Sequence, residues 1–267
     1  MRLFSLRSAR SRTRAHWLGI VALPAGMALA LAGAPWAGAA LYGLGLTAVL
    51  LAELARLEAT VLDSARQQQA LVQLQPLIGE FPVMFGGWAA DALLMQYAVE
   101  LLLEVRPRLV VECGSGSSTI ILARCLHRLG TGRLVSLEHD PVHARRTQAQ
   151  LQLHGLEDVV TVVTAPLDER RTVDGRTFQW YASGYEPGLD EPVQVLFVDG
   201  PPGIVGPRAR YPALPLLRPH LAPGCVILLD DGDRPDERSI ARDWSSERGL
   251  AAVRLPTGRG ARLLRPS

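Results

Sequence analysis

Four short segments in a fixed order constrain the fold of this 267-residue chain more than anything else in it. They are VVECGSGSST at 110–119, LVSLEHD at 134–140, VLFVDGPPG at 195–203 and VILLDDGD at 226–233. Each closes an apolar run with acidic or glycine residues. Buried parallel strands end in this way where they meet a ligand, because open α/β sheets bind in the crevice outside the carboxyl ends of their strands. Four such endings in succession point to a nucleotide-type site.

The runs between them alternate in period. A helix is expected over Trp88–Val105, closed by Pro107, followed by strands at 109–113, 133–138, 159–164, 193–198 and 226–230. Helices are expected at 118–129, 141–153, 209–221 and 236–248, with a terminal strand pair near 250–255 and 260–264. The stretch 165–192 reads as an irregular connection long enough to be functional. Continuous apolar strands such as VQVLFV and CVILL suit a sheet covered on both faces. The βα alternation implies an α/β fold with a doubly wound, Rossmann-like parallel sheet.

Ahead of this domain, Trp17 to Ala52 holds 36 residues without a charge. As one helix this is roughly 54 Å, well beyond a ~30 Å bilayer crossing. Pro35 in GAPWAG marks a turn, so the expectation is a transmembrane helical hairpin of about 17–33 and 36–52. A re-entrant loop is the shorter alternative. Arg2, Arg7, Arg10, Arg12 and Arg14 precede the first span, Arg56 and Arg66 follow the second, and the turn has none. The positive-inside bias then leaves both ends in the cytoplasm. A secretory signal cleaved after Ala37-Gly38-Ala39 competes with this reading, but the apolar stretch continues through Leu41–Ala52. The organisation expected is a basic N-terminus at 1–16, membrane hairpin at 17–52, helical stalk at 53–76 and globular domain at 77–267. Leu54, Leu57, Val61 and Leu71 sit near heptad positions in the stalk, which leaves homo-oligomerisation through it open.

Net charge is +2, so charge gives no nucleic-acid footprint. All 28 basic side chains are arginine, a matter of codon usage. Cys113, Cys125 and Cys225 have no metal-ligand spacing and read as reduced, buried thiols.

In Glu112-Cys113-Gly114-Ser115-Gly116-Ser117-Ser118-Thr119 the two glycines permit a tight turn, and the helix that follows offers free N–H groups. Thr119 replaces the last glycine of a dinucleotide fingerprint. The acid before the loop would repel a pyrophosphate, which favours S-adenosylmethionine over NAD. Glu138 ends the second strand, where a carboxylate can accept ribose hydroxyls; adjacent His139 would pack beside the nucleoside or cap a turn. Asp199, Asp230 and Asp231 end neighbouring strands and would repel one another without a cation or a proton. They are candidate ligands for Mg²⁺ or another divalent cation. The plainer alternative is that one aspartate caps a helix and another pairs with Arg234 or a nearby arginine. His220 reads as a surface residue. Trp180, Tyr181 and Tyr185 form either a substrate wall or a small loop core. Arg208, Arg210 and Tyr211 either meet an anionic substrate or start a helix.

At these residues the chain resembles class I S-adenosylmethionine-dependent methyltransferases. It is nearest the bacterial group that carries ECGSGSST, DGPPG, RYPALP and a paired DD. The resemblance spans about 77–267 and implies that Glu112, Gly114 and Gly116 line the methionine part of the cofactor, with Ser115, Ser117, Ser118, His139 and Asp199 also bordering it. Glu138 would hold the ribose, and Ala165 would flank the adenine. Asp199, Asp230 and Asp231 resemble the metal triad of metal-dependent O-methyltransferases, but Gly200-Pro201-Pro202-Gly203 follows the first aspartate, and no lysine is present for the catechol-type base. The implied activity is O-methylation of a small-molecule or lipid-linked sugar acceptor at the cytoplasmic (inner) membrane, with Asp199 or Asp230 taking the acceptor proton. A membrane-tethered, inactive scaffold and an NAD-dependent oxidoreductase are the rivals.

Overall fold

The computed structural model describes residue 17 and residues 20–79, 82–85, 90–167 and 169–266. The basic run from Arg2 to Arg14 and Trp88 lie outside the described residues. The chain divides into two compact units, 1–66 and 67–267.

In the first unit, helix α1 (Ile20–Leu31) and the start of helix α2 (Pro35–Ile78) are joined by a turn at 32–34. Their backbones approach closely where side chains are smallest. A Cβ on Gly26 would lie 2.8 Å from the Gly38 carbonyl oxygen, and one on Gly38 would lie 2.6 Å from the Ala30 nitrogen. Such small-residue contacts let helices pack backbone to backbone. α2 is the one described helix long and apolar enough to cross a membrane.

α2 runs without a break through the expected stalk boundary, because 53–75 contains neither glycine nor proline. The second unit begins at Gln67, ten residues before the boundary expected from sequence. Ala70, Leu74 and Leu77 are buried in its core, and Gln67 Oε1 accepts the Leu93 N–H at 3.1 Å. A fully buried leucine contributes about 2–3 kcal/mol and a hydrogen bond about 1 kcal/mol. A version of the domain starting at Leu77 should therefore melt roughly 10 °C below one starting at Gln67. Coincident thermal melts would show that the end of α2 adds nothing.

After α2 come α3 (Ala92–Val105), β1 (Leu109–Cys113), α4 (Ser117–Leu129), β2 (Arg133–Glu138), α5 (Pro141–His154) and β3 (Val160–Thr164). Next are β4 (Glu169–Val173), β5 (Arg176–Trp180), β6 (Val193–Val198), α6 (Ala213–Leu217), β7 (Leu221–Leu229), α7 (Pro235–Arg248), β8 (Leu250–Arg254) and β9 (Arg262–Pro266). Asp91 caps α3 through the Leu94 N–H, which sets its start at Ala92. The main sheet has the order β3-β2-β1-β6-β7-β9-β8. The first five strands are parallel, and β9 runs antiparallel to both β7 and β8. The sheet is thus mixed rather than wholly parallel.

Alternation along the strands supplies two cores. Val110, Leu134, Val195, Phe197 and Leu228 pack with α3 and α4, whereas Val111, Val135, Leu196, Val198 and Ile227 pack with α6 and α7. Cys113, Cys125 and Cys225 are all buried and free, and burial raises their thiol pKa values, to about 11 for Cys125 and about 12 for Cys225.

Two expectations fail for local reasons. The connection at 165–192 contains the β4–β5 hairpin, turned by Asp174 and Gly175, both at positive φ. Asp-Gly between strand-like residues is the signal for such a turn. The helix expected at 209–221 shrinks to Ala213–Leu217, because Pro212, Pro215 and Pro219 deny it hydrogen bonds.

Candidate active site

Strand order reverses between β1 and β6, the position where open α/β sheets form a ligand crevice. Here the two strand ends interlock. The Asp199 N–H donates to the Cys113 carbonyl at 3.0 Å, and the Gly114 N–H donates to Leu137 at 2.8 Å. Gly114 has φ +93°, and a Cβ on it would stand 3.2 Å from the Gly200 nitrogen. A Cβ on Gly200 would collide with the Tyr181 hydroxyl. These glycines keep open a cavity of about 460 Å³ above the strand ends, within the usual range for small-molecule sites. Its walls include Gly114, Ser115, Glu138, His139, Tyr181, Asp199, Arg210 and Asp231.

Glu112 is not in that wall. Its carboxylate is buried beneath the glycine loop and accepts from Ser118 Oγ at 2.5 Å, Thr119 Oγ1 at 2.6 Å and Ser136 Oγ at 2.7 Å. It therefore fastens the start of α4 to β1 and β2. Ser118 is buried by this bond, while Gly116 and Ser117 border a neighbouring cavity of about 590 Å³ with Met84, His143 and Thr147. Burial drives the Glu112 pKa up to about 7 against the three hydroxyl donors that lower it. A carboxyl raised in the folded state stabilises the fold at low pH and loses that contribution as pH rises through the folded value. Glu112→Gln, which keeps the shape without the charge, should remove roughly 3 kcal/mol of pH-dependent stability between pH ~4.5 and ~7. Denaturant titrations across that window measure it, and unchanged slopes would place the titration elsewhere.

Glu138 does line the cavity, and its carboxylate is fully engaged. Oε2 accepts Ser115 N and Oγ, both at 2.9 Å; Oε1 accepts Asp140 N and lies 2.9 Å from His139 Nδ1. Burial pushes its pKa up, but these donors together hold it below the ordinary carboxylate value. The bond to Glu138 raises the His139 pKa. Asp140 caps α5 through Val142 N. Ala165 is buried behind the wall, its N–H donating to the Glu138 carbonyl at 2.7 Å.

Asp199, Asp230 and Asp231 converge, with one oxygen from each lying within 4.8 Å of the others. Asp199 lines the cavity and Asp230 sits behind it. Arginines already occupy this cluster. Arg210 Nη2 lies 3.0 Å from both Asp199 Oδ1 and Asp231 Oδ2, and Nη1 donates to the Asp230 carbonyl at 3.1 Å. Arg234 and Arg259 reach Asp231 at 2.8 and 3.3 Å. The pairing of Asp231 with Arg234 is the plainer alternative drawn from the sequence. Burial raises the Asp199 pKa well above the ordinary value, helped by Asp230; burial also raises Asp230, to about 6.

The residues present fit a nucleoside cofactor. The glycine cradle is one that a Cβ would fill, and the buried Tyr181 hydroxyl at the cavity wall has no partner among the described residues. They do not fit a divalent cation as well, since Asp231 is met by three guanidinium groups and Asp199 by one of them.

The remaining candidates have structural work. Tyr211 Oη donates to Asp174 at 2.6 Å, and Arg208 pairs with Asp243 and lies over the Tyr211 ring at 4.6 Å. Trp180, Tyr181 and Tyr185 are buried, with Trp180 edge-on to Tyr181. His220 ends a short 3₁₀ turn away from the cavity. Sequence reasoning missed Arg210 as the centre of the acid cluster. The signal was present: three aspartates at adjacent strand ends require positive charge, and Arg210 follows Asp199 within one connection.

In fold the chain is similar to S-adenosylmethionine-dependent methyltransferases. Residues 111–232 match the family model Methyltransf_24, described as a methyltransferase domain. Among solved structures the chain is similar to SAH-bound methyltransferase PaMTH1 of Podospora anserina, at 16% identity and TM-score 0.55, covering 79% of this chain and 96% of that one. It is also similar to a putative caffeoyl-CoA O-methyltransferase from Staphylococcus aureus, at 13% identity and TM-score 0.55 over 79% and 100% of the two chains. A putative O-methyltransferase from Klebsiella pneumoniae aligns at 19% identity and TM-score 0.51 over 77% and 100%. At these identities the likeness is one of fold. No curated protein sequence matches significantly.

Proposed function

We propose that the domain methylates an oxygen of a small-molecule or lipid-linked sugar acceptor at the cytoplasmic face of the inner membrane. The observation that carries the chemistry is the position of Asp199. Its carboxyl group lines the same cavity as Gly114 and Glu138, Arg210 fixes its Oδ1, and Oδ2 has no protein partner among the described residues. A carboxylate with one fixed oxygen and one free oxygen can receive an acceptor proton.

The bound cofactor supplies an electrophilic methyl group on sulfur. The chain has two tasks, which are to orient the acceptor and to remove its proton. Gly114 and Gly200 keep the backbone clear for the cofactor, and Glu138 holds ribose hydroxyls. Ser115 Oγ is the Glu138 donor that can give way, since Thr147 Oγ1 lies 3.1 Å from it as a second partner. The buried Tyr181 hydroxyl offers one more hydrogen bond. The apolar, mostly solvent-facing start of α2, with Trp36 88% and Leu44 69% exposed, supports the membrane location.

The test is a calorimetric titration of the full-length chain in detergent with S-adenosylmethionine, using NAD as control, alongside fractionation of cells after alkaline washing. Saturable binding of the first ligand alone, in a wash-resistant membrane fraction, is the expected result. A folded chain that ignores S-adenosylmethionine would remove the basis for the reading. Binding without methyl transfer to any hydroxyl acceptor supplied would favour the scaffold role.

A further inference from the structure

The acid cluster carries a second inference, which rests on the methyltransferase reading. We propose that the Arg210 guanidinium is the resident cation of the Asp199–Asp230–Asp231 cluster, where it positions Asp199, and that the chain works without a divalent metal ion.

Arg210 is 3% exposed, and its bonds are distributed over the whole cluster. One nitrogen bridges Asp199 and Asp231, another holds the Asp230 carbonyl, and Nε lies 3.5 Å from the Pro201 carbonyl and 3.9 Å from Glu237 Oε1. A planar fork with fixed donors suits this task, whereas a point charge on a flexible stem does not. Asp231 is saturated. Its Oδ2 meets Arg210 and Arg234, its Oδ1 meets Arg259, and its backbone is held at φ +56°.

Formal charge settles which cation the cluster can keep. Three aspartates and Glu237 face three guanidinium groups, so at most about one unit of negative charge remains to draw in an ion. An ion bridging Asp199 and Asp231 would have to share their oxygens with an arginine nitrogen, and like charges at that range repel strongly in a buried site. At least two ligand oxygens are left over, Asp199 Oδ2 and Asp230 Oδ1, the latter buried without a partner. An ion held by these two would sit beside the Arg210 guanidinium that already holds Asp199 Oδ1, where like charges repel.

Titration of the full-length chain with Mn²⁺, followed by the electron paramagnetic resonance of the free ion, tests this directly. The wild-type chain should leave the Mn²⁺ signal unchanged, and its melting temperature should not respond to EDTA or added Mg²⁺. Arg210→Met releases Asp199 and Asp231 and should bind Mn²⁺ at least about tenfold more tightly than wild type, whereas Arg210→Lys, which keeps a charge, should not. Saturable Mn²⁺ binding by the wild type that Asp230→Asn abolishes would overturn the proposal. So would a folded Arg210→Met that gains no binding. Should that variant not fold, the wild-type and lysine measurements decide alone. S-adenosylhomocysteine binding, measured on the same samples, separates failure of this proposal from failure of the methyltransferase reading.

Discussion

Asp199→Asn lowers the methyl-transfer rate by about 10²–10⁴-fold while changing S-adenosylhomocysteine affinity by less than about tenfold. Asparagine can still accept from Arg210 through its side-chain oxygen, so the interlocked strand ends stay in place. It cannot receive a proton. The acid limb of the pH–rate profile carries the same information. Burial and the neighbouring Asp230 hold the Asp199 carboxyl well above its ordinary pKa, and burial lifts Asp230 to about 6. A proton acceptor works only when deprotonated, so the rate should fall as pH drops, beginning well above the usual carboxylate range. Asp230→Asn removes one of the charges that raise Asp199 and should shift that limb to lower pH. A limb that stays in place in Asp230→Asn, with full activity in Asp199→Asn, would assign the base elsewhere.

The second large effect concerns the cofactor. Glu138→Ala deletes an acceptor that holds Ser115 N, Ser115 Oγ and Asp140 N and pairs with His139. Charge-assisted bonds of this kind are worth about 1.5–3 kcal/mol, so S-adenosylhomocysteine affinity should fall roughly 10- to 100-fold. Glu138→Gln keeps an oxygen in place and should fall between wild type and alanine. Calorimetry gives the affinities, and a thermal melt of each variant separates lost binding from a loosened loop. Equal affinities in all three chains would mean that the carboxylate serves the fold alone.

The strand ends were readable because burial on both faces writes a plain apolar run, and ligand chemistry writes acids and glycines immediately after it. Residues 109–113 and 193–198 appear as strands at the expected limits for that reason. Other features depend on partners distant in sequence. Whether the Glu112 carboxylate faces the cavity or the start of α4 is decided by Ser136, on the next strand. That Arg210 turns toward three aspartates rather than a substrate depends on how β6 and β7 align. The β4–β5 hairpin was readable from Asp174-Gly175, but its flanking residues are too polar for a core strand and conceal it. The prolines between Pro212 and Pro219 contradict a helix locally, and the apolar spacing of the leucines among them suggested one.

Cys113, Cys125 and Cys225 are all shut inside the second unit, and burial keeps their thiols protonated. To thiol-directed reagents the folded chain is therefore blank. A single cysteine placed at exposed Ala32, in the turn between α1 and α2, would be the sole reactive handle, against which impermeant labels can report sidedness in an intact cell without prior removal of the native residues.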